Sequence, residues 1–402
     1  MKKKIVITGV GYVGLPLAIS LSKFYDVIGF DINVSRVEQL NNHKDINQQI
    51  SKNELKRSKI KFTNKKSDIK GHSVYIVTVP TPVFKNNKPN LSILENASAT
   101  VANAMTRNSL VIYESTVYPG LTRFLSESII EQITSFKLNK DYFLGYSPER
   151  INPGDKNNTL NKIVKIISGS NRKAVLEIKK IYSKICKKIF VANSIEIAES
   201  AKIIENIQRD VNIALINEFY KIFTELNLDF REILNAADTK WNFLKFKPGL
   251  VGGHCIGVDP YYLLHLTKLK NIKTEMVSSG RNVNDNMHKY VIQEINKFAK
   301  KLDKNPKNIK ILIYGLTYKK DCPDIRNSQS KRISIILDKK YKVTTFDSLI
   351  DKLDEKEFPN FNKNYSKINY DIIFVNHIHT RDNKKFKFEK ILNSGGYLYT
   401  LD

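Results

Sequence analysis

Along the first 190 or so residues, short apolar runs alternate with stretches in which apolar residues recur at helical spacing. The runs Lys4–Thr8, Asp26–Phe30, Ser73–Val79, Leu110–Tyr113 and Tyr142–Leu144 read as strands, with helices between them such as Leu91–Met105 and Leu121–Thr134. Alternation of this kind predicts βαβ units around a parallel sheet. The pattern then changes. From Ser194 to about Leu226 there is neither Pro nor Gly, and Ile197, Ala201, Ile204, Ile207, Val211, Leu215 and Phe219 mark a single long helix. Such a helix is too long for one βαβ crossover and predicts a link between domains or a dimer core.

The last hundred residues return to alternation and echo the beginning. Lys4-Ile-Val-Ile-Thr-Gly9 resembles Lys310-Ile-Leu-Ile-Tyr-Gly315, and the stretch Tyr25 to Asp31 resembles Tyr341 to Asp347. A recurring strand, glycine and strand-end aspartate predict an internal repeat. The expected fold is α/β: two Rossmann-like doubly wound domains joined by a central helical domain with a long helix. The boundaries are placed at 1–193, 194–300 and 301–402.

Composition narrows the functional classes. The chain is 41% hydrophobic and 26% charged, which excludes a disordered segment. Lys+Arg 66 against Asp+Glu 40 gives +26, a balance that suits nucleic acid, acidic lipid or an anionic small substrate. The lysines are scattered in pairs rather than gathered in an arm, and no zinc-finger or aromatic RNA-binding spacing accompanies them, so no nucleic-acid partner is expected. No run approaches the roughly 18 apolar residues of a membrane span. Lys2-Lys3-Lys4 before an apolar run resembles a secretion signal, but Gly9, Gly11, Gly14 and Pro16 break that run. Cys186, Cys255 and Cys322 form no CxxC pair, which points to a reducing, cytoplasmic setting.

That broken run carries the first chemistry. Gly9-Val-Gly11-Tyr12-Val13-Gly14 follows a strand, opens a helix and is succeeded by Asp31 at the end of the next strand. This is the context in which a glycine loop cradles a dinucleotide pyrophosphate at a helix N-terminus. Asp31 can accept ribose hydroxyls and would repel a 2′-phosphate, so the expected cofactor is NAD. Pro80-Thr81 at another strand end suits either a support for the nucleotide or an ordinary turn.

The segment from Phe246 to Pro260 holds Gly249, Gly252, Gly253 and Gly257 around Cys255, with Asp259 four residues on. A thiol in such a setting suits aldehyde oxidation: a thiohemiacetal loses hydride to NAD, and the thioester is hydrolysed. The plainer reading of a lone cysteine, a small buried hydrophobe, fits Cys186 and Cys322. His254 beside Cys255 lacks a second ligand pair, so no metal is expected. On the long helix Lys202 and Asn206 are spaced to share one face, either as oxyanion stabilisers or as solvated surface.

With these motifs in order, the chain resembles the UDP-glucose/GDP-mannose dehydrogenase family over essentially its whole length. The likeness runs through Gly9 to Pro16, Glu114-Ser-Thr116, Ser147-Pro-Glu-Arg150, Ala201 to Asn206, Gly252-Gly-His-Cys255, Gly315 to Asp321 and Asp324-Ile-Arg326. The resemblance implies a four-electron oxidation of a sugar C6 alcohol to the carboxylate with two NAD per turnover. It implies Cys255 as nucleophile, with Lys202 and Asn206 stabilising charge at C6. Asp259 and Thr116 would order the water and the lysine, and Glu149 would activate water for thioester hydrolysis. Asp31 and Arg36 would meet the adenosine ribose, Arg326 the far side of the cofactor, and Tyr318 and Lys319 the UDP portion. Further substrate contacts are expected from Arg150, Ile151, Lys240, Phe246, Pro248, Gly249 and Gly252.

In the UDP-glucose branch a second glutamate follows the catalytic one. Here the segment reads Glu149-Arg-Ile-Asn-Pro-Gly154. Ser147–Asp155, Lys240-Trp-Asn-Phe243 and Pro248–Leu263 are instead similar to the branch acting on UDP-N-acetylglucosamine or UDP-N-acetylgalactosamine, which includes capsule enzymes. The expected substrate is therefore a UDP-N-acetylhexosamine with its C4 configuration open, and the expected assembly a homodimer. UDP-glucose and UDP-N-acetylmannosamine remain alternatives. A two-electron β-hydroxyacid-type dehydrogenase would need no cysteine, and a basic protein on a decayed fold would not retain Cys255, Lys202, Asn206, Glu149 and Asp259 together.

Overall fold

A computed structural model of the chain describes residues 3–47, 49–150, 160–350, 354–382 and 387–401. They form two compact units. The first comprises Met1–Glu205 and Tyr261–Asn271, the second Asn206–Pro260 and Ile272–Asp402. The long helix, Ile195–Glu225, runs through the boundary, and the Ser194 hydroxyl accepts the Ile197 N–H at its start.

The first unit is built on eight strands: β1 (Lys4–Thr8), β2 (Asp26–Phe30), β3 (Lys61–Thr63), β4 (Val74–Val77), β5 (Leu110–Tyr113), β6 (Phe143–Tyr146), β7 (Val164–Gly169) and β8 (Lys188–Val191). Their order is β3-β2-β1-β4-β5-β6-β7-β8. The β6–β7 pair is antiparallel and the other pairs are parallel. Helices cover both faces, so β4 and β5 are buried at every position, and β1 at all but its first, rather than alternating. Ile5, Ile7, Ile76 and Ile112 pack on one side with Leu15 and Ile178; Val6, Tyr75, Val77 and Val111 pack on the other with Leu94 and Val101. The order reverses at β1 and β4, and ligands of such sheets sit beyond the strand ends at that reversal.

Three of these strands have no clear sequence signature. β3 has only three residues, β8 is largely exposed, and β7 carries a lysine in its interior. The segment Leu121–Thr134 is helical as expected but contains a π turn at Ser126–Ile130.

The second unit contains helices Phe230–Ala237 and Glu275–Lys301 and a parallel sheet. Its strands are β9 (Lys310–Tyr314), β10 (Lys342–Phe346), β11 (Tyr370–Val375) and β12 (Leu392–Thr400), in the order β10-β9-β11-β12. The two sheets repeat one device. Gly9 and Gly315 both have positive φ, +94 and +86, and their N–H groups donate to Phe30 and Phe346. Asp31 accepts the Val10 N–H at 3.0 Å; Asp347 accepts the Leu316 N–H at 2.7 Å. Among the described residues no helix is long and apolar enough to cross a membrane.

Candidate active site

In the first unit the glycine loop passes from β1 into helix Gly14–Ser22. A side chain at Gly14 would meet the Gly9 carbonyl oxygen at 1.9 Å, so only glycine lets the loop close on itself. A side chain built at Gly11 would meet nothing within 4 Å, which leaves the open approach a pyrophosphate needs. Tyr12 and Val13 are half-buried on the same turn. Asp31 uses one carboxylate oxygen for Val10 N–H and the other for Asn33 N–H at 2.9 Å. Each oxygen keeps a second lone pair for a ribose hydroxyl.

Arg36 is buried, donating Nε to the Val10 carbonyl at 3.0 Å and Nη1 to Asp45 at 2.8 Å. Its Nη2 is buried without a hydrogen-bond partner among the described residues. The open glycine turn, the strand-end carboxylate and this spare guanidinium donor fit a dinucleotide. Pro80 is exposed and Thr81 half-buried after β4, where Ser115 Oγ donates to the Val79 carbonyl at 2.7 Å.

Thr116 is half-buried beyond the end of β5, and Glu149 and Arg150 lie beyond the end of β6. Arg150 pairs with Glu205 at 2.8 Å and donates to the Val164 carbonyl at 2.9 Å. It is thereby tied to the turn of the long helix that carries Lys202, which is half-buried. Ile151 lies outside the described residues.

In the second unit the cysteine loop is clasped on several sides. Asn217 both donates to and accepts from the Gly249 backbone, at 3.0 and 2.8 Å. Gln329 holds the Val251 carbonyl at 2.7 Å, and Asn327 the Gly253 carbonyl at 2.9 Å. Gly253 has φ +78, and a side chain there would run into the Tyr318 ring at 2.6 Å. Tyr318 therefore packs directly on the loop, beyond any contact with UDP. Cys255 is a half-buried free thiol whose carbonyl accepts the Val258 and Asp259 N–H groups at 3.0 and 2.9 Å. That turn starts the helix Asp259–Leu269. Asp259 is 2% exposed, and the Asn206 amide donates to its carboxylate. Asn206, Cys255 and Asp259 are thus brought together.

Pro248 is buried, Gly249, Gly252 and Phe246 are half-buried and Lys240 is exposed. Lys319 is half-buried, and its carbonyl accepts the Thr317 hydroxyl at 3.1 Å. Arg326 clamps Asp324 through Nε at 3.0 Å to both oxygens and lies 2.9 Å from His254 Nδ1.

The sequence had assigned no role to two further groups. His254 Nδ1 lies 3.5 Å from Asp324. Burial opposes its charge, but hydrogen bonds to Asp324 and the Cys255 thiol outweigh that and lift its pKa to about 9. The second group is Lys165 with Glu114 and Tyr182, all fully buried in the first unit. The signal for it was a lysine inside the apolar run Ile163-Val-Lys-Ile-Ile. A third cluster, Asp347, His377 and His379, resembles a metal set, but its groups already hold the loop. His379 bridges Asp347 at 2.8 Å and the Asp321 N–H at 2.9 Å; His377 lies between Thr317 and Asn376. Burial drives the His377 pKa down to about 4, which keeps it neutral.

Comparison with known proteins agrees with this layout. Residues 3–186 match the NAD binding domain of the UDP-glucose/GDP-mannose dehydrogenase family, residues 196–286 its central domain and residues 312–394 its UDP binding domain. The chain is 46% identical over 351 residues to a UDP-N-acetyl-D-glucosamine 6-dehydrogenase of Salmonella typhi, spanning 87% of this chain and 83% of that protein. It is 45% identical over 362 residues to protein CapL of Staphylococcus aureus, spanning 89% and 85%. Among solved structures, a UDP-D-ManNAc dehydrogenase from Pyrococcus horikoshii superposes with a TM-score of 0.88 at 30% identity, covering 99% of this chain and 94% of that one. A dinucleotide loop, a second Rossmann-like sheet and family matches along most of the length converge: the chain belongs to the UDP-glucose/GDP-mannose dehydrogenase family and is an NAD-dependent nucleotide-sugar dehydrogenase.

Proposed function

We propose that this enzyme oxidises the C6 alcohol of a UDP-N-acetylhexosamine to the uronic acid through a thioester on Cys255, supplying a precursor of a surface polysaccharide from the cytoplasm. The observation that carries the mechanism is the linkage of Cys255 to Asp259 at the end of the clasped loop and, through the Asp259 carboxylate, to Asn206 on the long helix. NAD, when bound, supplies the two hydride acceptors. The chain's own residues do the rest. Lys202 by charge and Asn206 by hydrogen bond stabilise the C6 oxyanion. Cys255 attacks the aldehyde carbon, Thr116 and Asp259 order the lysine and the water, and Glu149 takes a proton from the water that cleaves the thioester.

The substrate assignment leans on relatives named UDP-N-acetyl-D-glucosamine 6-dehydrogenase, 44–46% identical. Relatives named UDP-N-acetyl-D-mannosamine dehydrogenase are 33–34% identical, which makes the manno epimer the second reading. Tyr318 and Lys319 would face the UDP portion, and Arg150, Ile151, Lys240, Phe246, Pro248, Gly249 and Gly252 the rest of the substrate. Asp31, Arg36, Pro80, Thr81 and Arg326 would serve the cofactor. The reading keeps a cofactor domain to residue 193, a helical domain to 300 and a UDP-sugar domain beyond, assembled as a homodimer. The test is a limiting-substrate assay with UDP-GlcNAc, UDP-GalNAc, UDP-ManNAc and UDP-glucose side by side. An N-acetylhexosamine should yield two NADH per sugar with no free aldehyde. A plateau at one NADH refutes the thioester route, and preference for UDP-glucose refutes the substrate.

A further inference from the structure

A strand interior buried on both faces favours apolar side chains, yet β7 places Lys165 there with no solvent exposure. Burying an ammonium costs several kcal/mol unless its partners are well placed. Here they are. Nζ donates to Glu114 Oε2 at 2.9 Å and to the Pro148 carbonyl at 3.2 Å, and lies 3.8 Å from Glu149 Oε2. The other Glu114 oxygen accepts the Tyr182 hydroxyl, and Nζ stands 5.2 Å from the centre of the Tyr182 ring. Burial opposes the charge on Lys165, but Glu114 and Glu149 outweigh it and hold its pKa above the ordinary lysine value. The remaining titratable neighbour, Cys186, has its thiol pushed up to about 11 by burial and stays neutral.

The antiparallel turn of β7 explains how the lysine arrives. In a parallel strand its start would lie at the N-terminal edge of the sheet. Because β7 reverses, with Tyr146 opposite Ser168 and Gly145 opposite Gly169, its start lies beside the C-terminal ends of β5 and β6. Continuing that register sets Lys165 opposite Glu149. Glu114-Ser-Thr116 and Ser147-Pro-Glu-Arg150 leave those two strand ends, and the ammonium ties one to the other.

We propose that Lys165 is a positioning residue for the hydrolytic half-reaction: it aims the Glu149 carboxylate and supplies its countercharge, and is itself fixed by Glu114 and Tyr182. This rests on the reading of Glu149 as the base of thioester hydrolysis. In that step the water oxygen bonds to the acyl carbon and its proton passes to Glu149. The carbon–sulfur bond breaks, and the Cys255 thiolate leaves. The hydride transfers precede this step and need no base at Glu149.

The test is rapid mixing of the holoenzyme variants with NAD and the best sugar from the panel above, with intact-mass spectrometry. Lys165→Met should give a burst of two NADH per site at near wild-type rate. Turnover then slows by roughly 10- to 100-fold, part of what a positioned base contributes, while acyl-enzyme accumulates. The acid limb of its hydrolysis profile should move to higher pH. Tyr182→Phe keeps the ring and removes the hydroxyl that binds Glu114 and also meets Ser147, so it should slow the same step by a few-fold. If Lys165→Met fails to fold, Tyr182→Phe decides, and wild-type hydrolysis in it overturns the proposal. Glu149→Gln is the reference. If it stalls as acyl-enzyme while Lys165→Met and Tyr182→Phe hydrolyse normally, the positioning role is wrong and the base stands; if Glu149→Gln itself hydrolyses normally, the assignment of the base has failed.

Discussion

The Asn206 amide donates to the carboxylate of Asp259, joining the middle of the long helix to the residue that heads the helix after Cys255. The bond fixes which way the amide faces, because its oxygen and nitrogen have opposite hydrogen-bonding roles. Asp259→Ala leaves that amide free to rotate and removes a charge beside the nucleophile's loop. We expect kcat/KM for uronate formation to fall by about 100- to 1,000-fold, the usual effect of losing an oxyanion donor, because Asn206 is then no longer aimed. Thermal melts alongside the uronate assay separate this from unfolding, and near-normal turnover would refute the role.

The three cysteines should separate by reactivity. Cys186 is 4% and Cys322 2% exposed, and burial raises both thiol pKa values, whereas Cys255 is half-buried. Iodoacetamide at neutral pH should modify Cys255 first and abolish turnover in step with that modification. Cys255→Ala should lose uronate formation by several orders of magnitude, and Cys255→Ser should trap a covalent sugar ester or stall. Cys186→Ala and Cys322→Ala should stay within a few-fold of wild type. Peptide mass mapping during inactivation reads the order directly.

Cofactor choice should follow Asp31, whose carboxylate is pinned between the Val10 and Asn33 N–H groups. A 2′-phosphate there would meet a fixed negative charge. NAD should be preferred to NADP by a large factor in kcat/KM, with Asp31→Ala narrowing the gap. Equal use of both by the wild type would contradict the ribose contact.

Stability should carry a signature of His254. Its folded-state pKa of about 9 lies above the ordinary 6.5. A raised pKa means that folding is favoured by the bound proton. That contribution is complete below about pH 6.5 and is lost as pH rises through about 9. Between pH 6.5 and 9.5 the wild type should lose roughly 3 kcal/mol more than His254→Gln. Urea unfolding at both pH values checks this, and parallel losses in the two proteins would mean that the His254–Asp324 pairing is absent.

The long helix exposes Ile197, Ile204, Leu215, Phe219 and Ile222. At 100° per residue these lie within about 60° of one another around the axis, a continuous apolar stripe. A second copy of the chain is the expected cover. Light scattering at micromolar concentration should give a dimer, and the double variant Leu215→Glu/Ile222→Glu should shift it towards monomer. A monomeric wild type would exclude the homodimer.

Much of this protein was legible in local pattern. β1, β2 and β5 fall on the expected residues, and the long helix begins and ends within a residue of its sequence limits. The echo between the two ends of the chain reappears as matched glycine turns and strand-end aspartates at Asp31 and Asp347. These features are local because side-chain periodicity, glycine conformation and the absence of helix breakers act within a few residues.

Other features came only from tertiary structure. β7 could not be read as a strand because Lys165 interrupts it, and that lysine is tolerated only because Glu114, 51 residues earlier, meets it. The antiparallel reversal that brings it there is set by pairing with β6, not by the residues of β7 alone. His254 gains its proton affinity from Asp324, and Asn206 its orientation from Asp259. Sequence by itself determined the main strands, the long helix and where the glycine loop, the strand-end aspartates and the cysteine segment fall along them. The charge state and aim of those residues depend on partners far along the chain, because electrostatic and hydrogen-bond energies fall off with distance in space and take no account of separation in sequence.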